Sequence, residues 1–568
     1  MQGVEGPDRD LLDTQAFVGD LVPEQSVFGW LARHRRDLFP DSGFADLFPT
    51  STGRPSLPGS VAAAVMTLQR LYHLSDPETA EAVRFDLRWK VATGMAVDAR
   101  GFHPTTLVYW RKRLAASDRP HRINEAVRAV IEATGVLAGR RGRAIDSTIL
   151  DDAVATQDTI TQLIAAIRRV GRAVPGAGEL IAVHCTGHDY TRAGKPAIDW
   201  EDPDARQQLV SALVNDAVAL LNAIELGEDA DESAASAVGL LALVAGQDVE
   251  PAAGSDGTDG RWRIARKVAP DRVISTVDPE ARHTRKSRHQ RRDGYRAHVV
   301  AEPTTGIITD EALTPAAGDG HSDADVAETF VADQAARDQA TTPQPGAQAE
   351  PEATTTDDPA TDDPAATGAG CQAPAPPAAG ADPVRWYGDT AYSTGALRDA
   401  IARADHRAVI KPRPLRRAVP GGFTVDDFII DETAGTATCP NQVTRPISPG
   451  RTVSFGAACT GCPLRDRCTT ATDGRALTLQ PHDRLQRQAR RDWATQPDLP
   501  ADYRQQRPNV ERVIAQLATC HGHHRLRLPY RGTAANHAWL KTRTAALNLR
   551  NLINRGLTHT NGTWALAT

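Results

Sequence analysis

The chain has 568 residues, 40% of them hydrophobic, and a formal net charge of −6, which is length enough for roughly three or four domains with cores of their own. Its longest near-apolar run, AASAVGLLALVAG (234–246), is too short to span a bilayer, and the start MQGVEGPDRDLL has neither the basic opening nor the apolar core of a secretion signal. The expectation is a cytoplasmic protein without a membrane partner. The small net charge conceals segregation: RHTRKSRHQRR (282–292) is densely basic, whereas 323–382 is rich in Asp and Glu with hardly any Lys or Arg, and it is local charge that a phosphate backbone meets.

Residues 1–54 read as an N-terminal arm and 55–138 as a helical domain. VAAAVMTLQRLYHL has a broad apolar stripe, and SDPETAEAVRFDLRWKVATG opens on Ser75 with Glu78 three residues on, the spacing of a capping box. HPTTLVYWRKRL then completes a set of short helices of helix-turn-helix type, whose last member offers Arg111, Lys112 and Arg113 to DNA phosphates. A helical bundle with a solvated basic face fits that segment equally well.

RGRAIDSTIL (141–150) is the first strong strand, with β-branched residues around Asp146. It opens the first part of an α/β core, 139–336, interrupted by a helical insertion at 151–270 in which TQDTITQLIAAIRRVGR and ARQQLVSALVNDAVALLNAIE repeat apolar residues at helical spacing. RDGYRAHVVAEPTTGIITDEALTP (292–315) predicts a hairpin turning at EPTTG. The basic run before it holds Arg285, Lys286, Arg288, Arg291 and Arg292; a solvated loop would explain it, but its position beside a core hairpin favours contact with DNA. Residues 337–383 lack large apolar side chains and read as a disordered acidic linker. The core resumes over 384–415 with strand VRWYGD, helix TGALRDAIARA and strand HRAVIKPR. A cysteine-rich insert follows at 416–500, and 501–568 supply the helix PNVERVIAQLATC, expected from about residue 508, and a basic helical tail.

Asp389, at the exit of VRWYGD, has an ordinary explanation as a cap or turn former. Glu511 borders the apolar stripe of Val510, Val513, Ile514 and Leu517, and a position near a helix start at Pro508 would explain it too. In order, however, acids on a strand, at the end of a second strand and on a helix are the layout of a mixed sheet flanked by helices on which carboxylates converge. Phosphodiester cleavage with two Mg²⁺ ions roughly 3.5–4 Å apart needs such hard oxygen ligands. Asp278, in VDPEAR, is a rival acid. Of seven cysteines, Cys439, Cys459, Cys462 and Cys468 crowd together, and four thiolates close a tetrahedral Zn²⁺ site that would fold the insert. TCHGHH (Cys520, His521, His523, His524), HCTGH (184–188) and GDGHSDAD (Asp319, His321, Asp323) also look like ligand sets, but a helix end and polar turns account for them as well.

Taken in order, LSDPETAEAVRFDLRWKVATG, HPTTLVYWRKRL, RAIDSTIL, VDPEARHTRKSRHQRRDGYRAHVV, WYGDTAYSTGAL, the cysteine cluster and YRQQRPNVERVIAQL resemble bacterial insertion-sequence transposases of the DDE type. The resemblance runs from about residue 55 to 557, excluding the acidic linker. It implies an α/β fold with a ribonuclease-H-like mixed sheet flanked by helices, an N-terminal all-α helix-turn-helix-like domain and a small cysteine-rich zinc insert. It implies Asp146, Asp389 and Glu511 as a catalytic triad holding Mg²⁺ (or Mn²⁺), which would nick an element's end and join the freed 3′-OH to a target. Double-stranded DNA, both element ends and target, is then the partner of a homodimer or higher assembly. Tyr503, Arg507 and Glu511 resemble a signature around the last acid, with Arg504 and Arg507 as further DNA contacts. Tyr503 is one residue farther from Arg507 than the commoner spacing, and Ala518 stands where a basic residue is frequent. The competing readings are a catalytically decayed transposase acting as a DNA-binding or regulatory protein, and a ribonuclease-H-like nuclease without strand transfer.

Overall fold

The computed structural model describes residues 1–3, 12–50, 52–227, 231–267, 269, 271–287, 290–341, 382–520 and 524–567. Most of the acidic linker, Arg288, His521 and His523 therefore lie outside the described residues. In chain order the main elements are α1 (Val27–Leu38), α2 (Gly59–Tyr72), α3 (Asp76–Phe85), α4 (Leu87–Thr93), α5 (Thr105–Ala115) and α6 (Arg122–Ala133). There follow β1 (Gly142–Asp151), α7 (Thr159–Ala173), α8 (Pro203–Ala223), α9 (Glu232–Gln247), β2 (Arg282–Ser287), β3 (Gln290–Ala301), β4 (Ile308–Pro315) and α10 (Asp323–Thr341). The last are β5 (Arg385–Gly388), α11 (Gly395–Arg403), β6 (Arg407–Ile410), α12 (Asp498–Ala518), α13 (Thr533–Asn554), β7 (Thr558–Thr560) and β8 (Thr563–Ala565).

Local chemistry sets several boundaries. Ser75 caps α3 through the reciprocal box: its hydroxyl accepts from the Glu78 N–H, and Glu78 Oε2 accepts from the Ser75 N–H at 2.7 Å. The helical stretch expected to continue through DLRWKVATG instead breaks at Asp86, whose carboxylate accepts from the Arg88 N–H at 2.9 Å and starts α4. The opposite happens at α12. Expected from about residue 508, it begins at Asp498 and runs through Pro508; Pro508 is exposed, and on the solvent side of a helix a carbonyl left without its N–H donor is open to hydration. Glu511 is consequently in the middle of a helix, and an electrostatic role at a helix start no longer explains it.

The chain forms two compact units, one of residues 1–140, 144–326 and 506–568, the other of 141–143 and 327–505. In the first, β3 pairs antiparallel with β1, β2 and β4, and the hairpin predicted over 292–315 is the β3–β4 pair. Register sets Asp146 opposite Val299 and Asp151 opposite Gly294. Gly294 has φ +143°, and a Cβ there would lie 2.2 Å from the Leu150 carbonyl oxygen, so the β1–β3 pairing requires glycine. Of the basic run, residues 282–287 and 290–292 are thus strand, not loop. The insertion packs α7, α8 and α9 around Leu163, Ile167, Leu213, Leu220 and Leu241.

At the centre of this unit α13 packs against α2, α6 and β4. The Asn548 side-chain amide pairs with both backbone groups of Ile308, at 2.9 and 2.8 Å, and Lys541 Nζ reaches the buried Glu311 at 2.8 Å. Buried Arg543 donates to the carbonyls of Arg70 and Leu71 (2.5 and 3.0 Å) at the end of α2, and to Gln516 and Thr519 (2.8 and 3.1 Å) at the end of α12. These are carbonyls that helix geometry leaves without intrahelical partners.

In the second unit β5 and β6 run parallel, Arg385 opposite Arg407 and Gly388 opposite Ile410, with α11 between them in sequence. The start of β1 belongs here, the Arg141 carbonyl accepting from the Arg385 N–H at 2.8 Å. The cysteine-rich segment folds as short ribbons around Phe428, Ala437, Val453, Phe455 and Leu477. Antiparallel and parallel pairing together make the strand system mixed, and the N-terminal region is helical, as expected. Among the described residues no helix is long and apolar enough to cross a membrane.

Replacing Arg543 by Met keeps the aliphatic stem and strips both helix ends of their donor. The expected cost is about 3 kcal/mol, visible as a lower urea midpoint at unchanged slope.

Candidate active site

In the first unit β1 presents Asp146, half-buried, with its Oδ1 accepting from the Ser147 N–H at 2.8 Å. Period-two alternation sends Ser147 to the other face, where its hydroxyl donates to Asp323 at 2.6 Å; Arg296 pairs with the same carboxylate at 2.9 Å and His298 lies 3.6 Å from it. Burial pushes the His298 imidazole down to about 4, so it sits neutral in this cluster. Asp323 thus ties the start of α10 to the sheet, and His321 Nδ1 faces the Ala317 carbonyl at 3.3 Å, which accounts for two of the three ligand candidates in GDGHSDAD.

On the Asp146 side stands Arg507, only 6% exposed. Its guanidinium is 3.0 Å from Asp146 Oδ2 and 3.6 Å from Glu511 Oε1, the latter one turn further along α12. Val510, Val513 and Leu517 are buried on that helix, while the Glu511 side chain is 66% exposed. Two acids remote in sequence, Asp146 and Glu511, are therefore bridged by one buried cation, whose charge is spent on carboxylates within the chain. Arg504 on the same helix is exposed.

In the second unit Asp389 follows β5 directly. Its carboxylate accepts from the Ala391 N–H at 2.8 Å and caps a short 3₁₀ turn, so the ordinary role open to it in the sequence is one it does perform. Arg413 holds the same turn through the Thr390 carbonyl at 2.9 Å. β5 also anchors the opening of α12: the Tyr387 hydroxyl is 3.0 Å and Arg385 3.6 Å from Asp502.

Cys439, Cys459, Cys462 and Cys468 line one small cavity with Phe423, Phe455 and Arg475. The Arg475 N–H points at Cys459 Sγ at 3.3 Å. Burial, with smaller contributions from the other three cysteines, pushes the Cys468 thiol above its ordinary range. Four thiolates are the donor set of a closed Zn²⁺ site, but no three of these sulfur atoms lie within 4.8 Å of one another in this structure. Two other sulfur candidates have local partners: Cys185 is buried with its thiol toward the Asp216 carbonyl, and the Cys520 thiol faces the His524 carbonyl at 3.3 Å.

The cationic candidates separate. Lys112 and Arg113 are exposed, Arg113 stacking on Phe48 at 4.5 Å, whereas Arg111 is clamped by Asp76 at 2.9 and 2.5 Å beneath the Tyr530 ring. Arg285 and Arg291 are exposed on β2 and β3, and Arg292 pairs with Asp151 at 3.1 Å. Two cations the sequence reading missed, Arg525 and Arg527, lie along the end of β1: the Arg525 guanidinium donates to the Ile149 carbonyl at 3.0 Å, and the backbone of Arg527 forms a parallel β-bridge with that of Asp151. The alternation in RLRLP, with Leu526 and Leu528 buried and both arginines exposed, was the available signal.

Residues 18–113 match a family model described as Transposase domain (DUF772), and residues 438–553 match one described as Transposase DDE domain. Both are transposase domains, and they indicate a transposase function. They are consistent with the insertion-sequence DDE transposases that the motifs resemble, whose DDE domains generally use divalent metal and act on DNA. The second span includes Glu511 and the four cysteines; Asp146 and Asp389 precede it. No curated protein and no solved structure matches the chain.

Beyond β1, buried Asp152 lies near Asp293 and Asp278, and desolvation with these like charges pushes its carboxyl up to about 6. Asp278, the rival acid, accepts from the Tyr295 hydroxyl at 2.7 Å and the Gly532 N–H at 3.2 Å. Because the folded chain holds the Asp152 proton more tightly, the stability of the neutral form is complete below about pH 4 and is lost as pH rises through about 6. Asp152→Asn should then be more stable than wild type by about 1–2 kcal/mol at pH 7.5. The gain should vanish at pH 4, as thermal unfolding at the two pH values would show.

Proposed function

We propose that the chain is a DNA transposase of an insertion sequence with a ribonuclease-H-like core, binding the element's terminal inverted repeats and catalysing metal-dependent cleavage and strand transfer. Asp146, Asp389 and Glu511 are the residues proposed to hold two Mg²⁺ (or Mn²⁺) ions. Ions so held would supply the activation of water or a 3′-OH and the neutralisation of charge on the reacting phosphate. Arg507 carries this reading: a buried guanidinium that draws Asp146 and Glu511 to itself keeps two carboxylates aimed at one cationic position. Asp389, which follows the carboxyl end of β5, is the third acid that the resemblance assigns to this role.

The residues of the chain have distinct parts in this scheme. Arg507 orients both acids and offsets their mutual repulsion before DNA arrives. Lys112 and Arg113 on α5, Arg285 and Arg291 on the β2–β3 hairpin, and Arg525 and Arg527 beside β1 neutralise backbone phosphates, and Arg504 extends the basic surface along α12. The four cysteines hold a structural Zn²⁺ that folds the insert and takes no part in the reaction. Pairing two element ends calls for at least two copies on the DNA.

The test is cleavage of duplex DNA carrying the repeats that flank the coding region, with Mg²⁺ present. Asp389→Ala and Glu511→Gln should each reduce nicking and strand transfer at least about 100-fold while band-shift affinity for the same DNA stays within a factor of a few. Wild-type protein that binds these ends but never cuts them would overturn the catalytic reading and leave a DNA-binding protein. Separately, Cys459→Ser with Cys462→Ser should release the tightly held zinc found by elemental analysis of wild-type protein. The early melting transition of the insert should fall with it.

A further inference from the structure

A second ligand set lies in the first unit, remote in sequence from every acid considered so far. Among the described residues, His34, Asp37 and His559 form the one group of three or more His, Cys, Asp or Glu side chains whose ligand atoms all lie within 4.8 Å of one another. His34 and Asp37 are one turn apart on α1, and Asp37 Oδ2 is 3.5 Å from His34 Nδ1 and 3.1 Å from His559 Nδ1. In a tetrahedral Zn²⁺ site, bonds of about 2.0–2.2 Å put neighbouring ligand atoms about 3.3 Å apart. The two observed separations straddle that value.

The surroundings hold these groups in place. His559 is on β7, which pairs with β8 across Asn561 and Gly562, at φ 52° and 77°. An Asn-Gly pair with both residues in the left-handed region makes a tight hairpin turn whose twist suits the strands. Trp564 stands directly opposite His559, ring centroids 4.1 Å apart, and stacks on Trp30 of α1 at 5.7 Å. Trp30 Nε1 donates to the Leu557 carbonyl at 2.7 Å, and its ring lies 5.0 Å from His34. Both imidazoles are thus fixed by packing, as metal ligands need to be. Burial lowers the His34 basicity, which favours the neutral, ligating form, while the side chains of His34 and His559 are 17% and that of Asp37 40% exposed, leaving an ion a path in.

We propose that His34, Asp37 and His559 form a binding site for a first-row divalent ion, Zn²⁺ the best fit, which clips the C-terminal hairpin β7–β8 onto α1. Two imidazoles and one carboxylate suit zinc, cobalt or nickel and disfavour Mg²⁺, so the site differs chemically from both the carboxylate triad and the cysteine cluster. Three protein ligands leave one position for water. The proposal is independent of the transposase reading.

The experiment uses untagged full-length protein, stripped with chelator and titrated with Co²⁺ as a spectroscopic probe and with Zn²⁺ by calorimetry. Cobalt on the cysteines shows intense thiolate charge-transfer absorption; cobalt on nitrogen and oxygen shows only weak d–d bands. Wild type should bind about one Zn²⁺ per chain beyond the ion held by thiolates, and Zn²⁺ should raise its thermal midpoint. Asp37→Asn should weaken that ion about 10–100-fold, and His559→Ala should abolish it, with the thiolate absorption unchanged. His34→Gln, on a helix whose Trp30 contacts remain, should also lose the ion and serves as the second variant should His559→Ala loosen the hairpin. Equal zinc stoichiometry and affinity in wild type and His34→Gln would overturn the site. So would wild-type protein that binds no ion beyond the thiolate one, which would leave Asp37 as a hydrogen-bonded link between two histidines.

Discussion

Carbonyls at the end of a helix have no partner within that helix, and in the first unit two such ends are answered by the single guanidinium of Arg543. One end belongs to α2 of the N-terminal region and the other to α12, which carries Glu511. The five-donor fork of arginine spans both sets, a geometry that a lysine ammonium does not offer. Because Arg543 lies on α13, which packs against α2, α6 and β4, the same helix also links the two ends to β4, through Asn548 and the Lys541–Glu311 pair. The position of Glu511 along the axis of α12 therefore depends on a contact beyond the end of its own helix.

A second guanidinium governs how the acids sit. Two carboxylates repel unless a cation stands between them, and Arg507 supplies that cation to Asp146 and Glu511. Its burial keeps the attraction strong, since water screens a buried pair less than an exposed one. The same residue type on the surface has another use: Arg113, Arg285, Arg291, Arg504, Arg525 and Arg527 are exposed and carry positive charge that the chain does not neutralise by burial. A small net charge is thus compatible with an anionic partner, because the acidic residues are concentrated elsewhere in the sequence.

Asp389 shows how capping and the proposed metal-holding role combine in one carboxylate. It accepts one N–H to cap the turn after β5, and a carboxylate has acceptor capacity for more than one such bond. Its backbone is set by a short parallel pair and by the Arg413 contact with the turn. Stiffness of that kind is what a metal ligand needs.

Much of this was legible from residues alone. The helical N-terminal region followed from apolar stripes and the Ser75–Glu78 box, the β3–β4 hairpin from two β-rich runs around EPTTG, and the transposase resemblance, which the two family matches support, from motif order. Those are local signals, and local backbone and side-chain preferences produce them. The sequence could not show that α12 passes through Pro508, because tolerance of a proline depends on which side of the helix faces water. Nor could it divide the arginines: Arg111 and Arg507 look like surface cations until Asp76, Asp146 and Glu511 arrive from elsewhere in the chain. The same holds for His559, whose neighbours on α1 come from the opposite end of the sequence. Composition and periodicity decided which elements form; only tertiary packing decided which charges are buried, and with whom, because an ion's partner is chosen by distance in space.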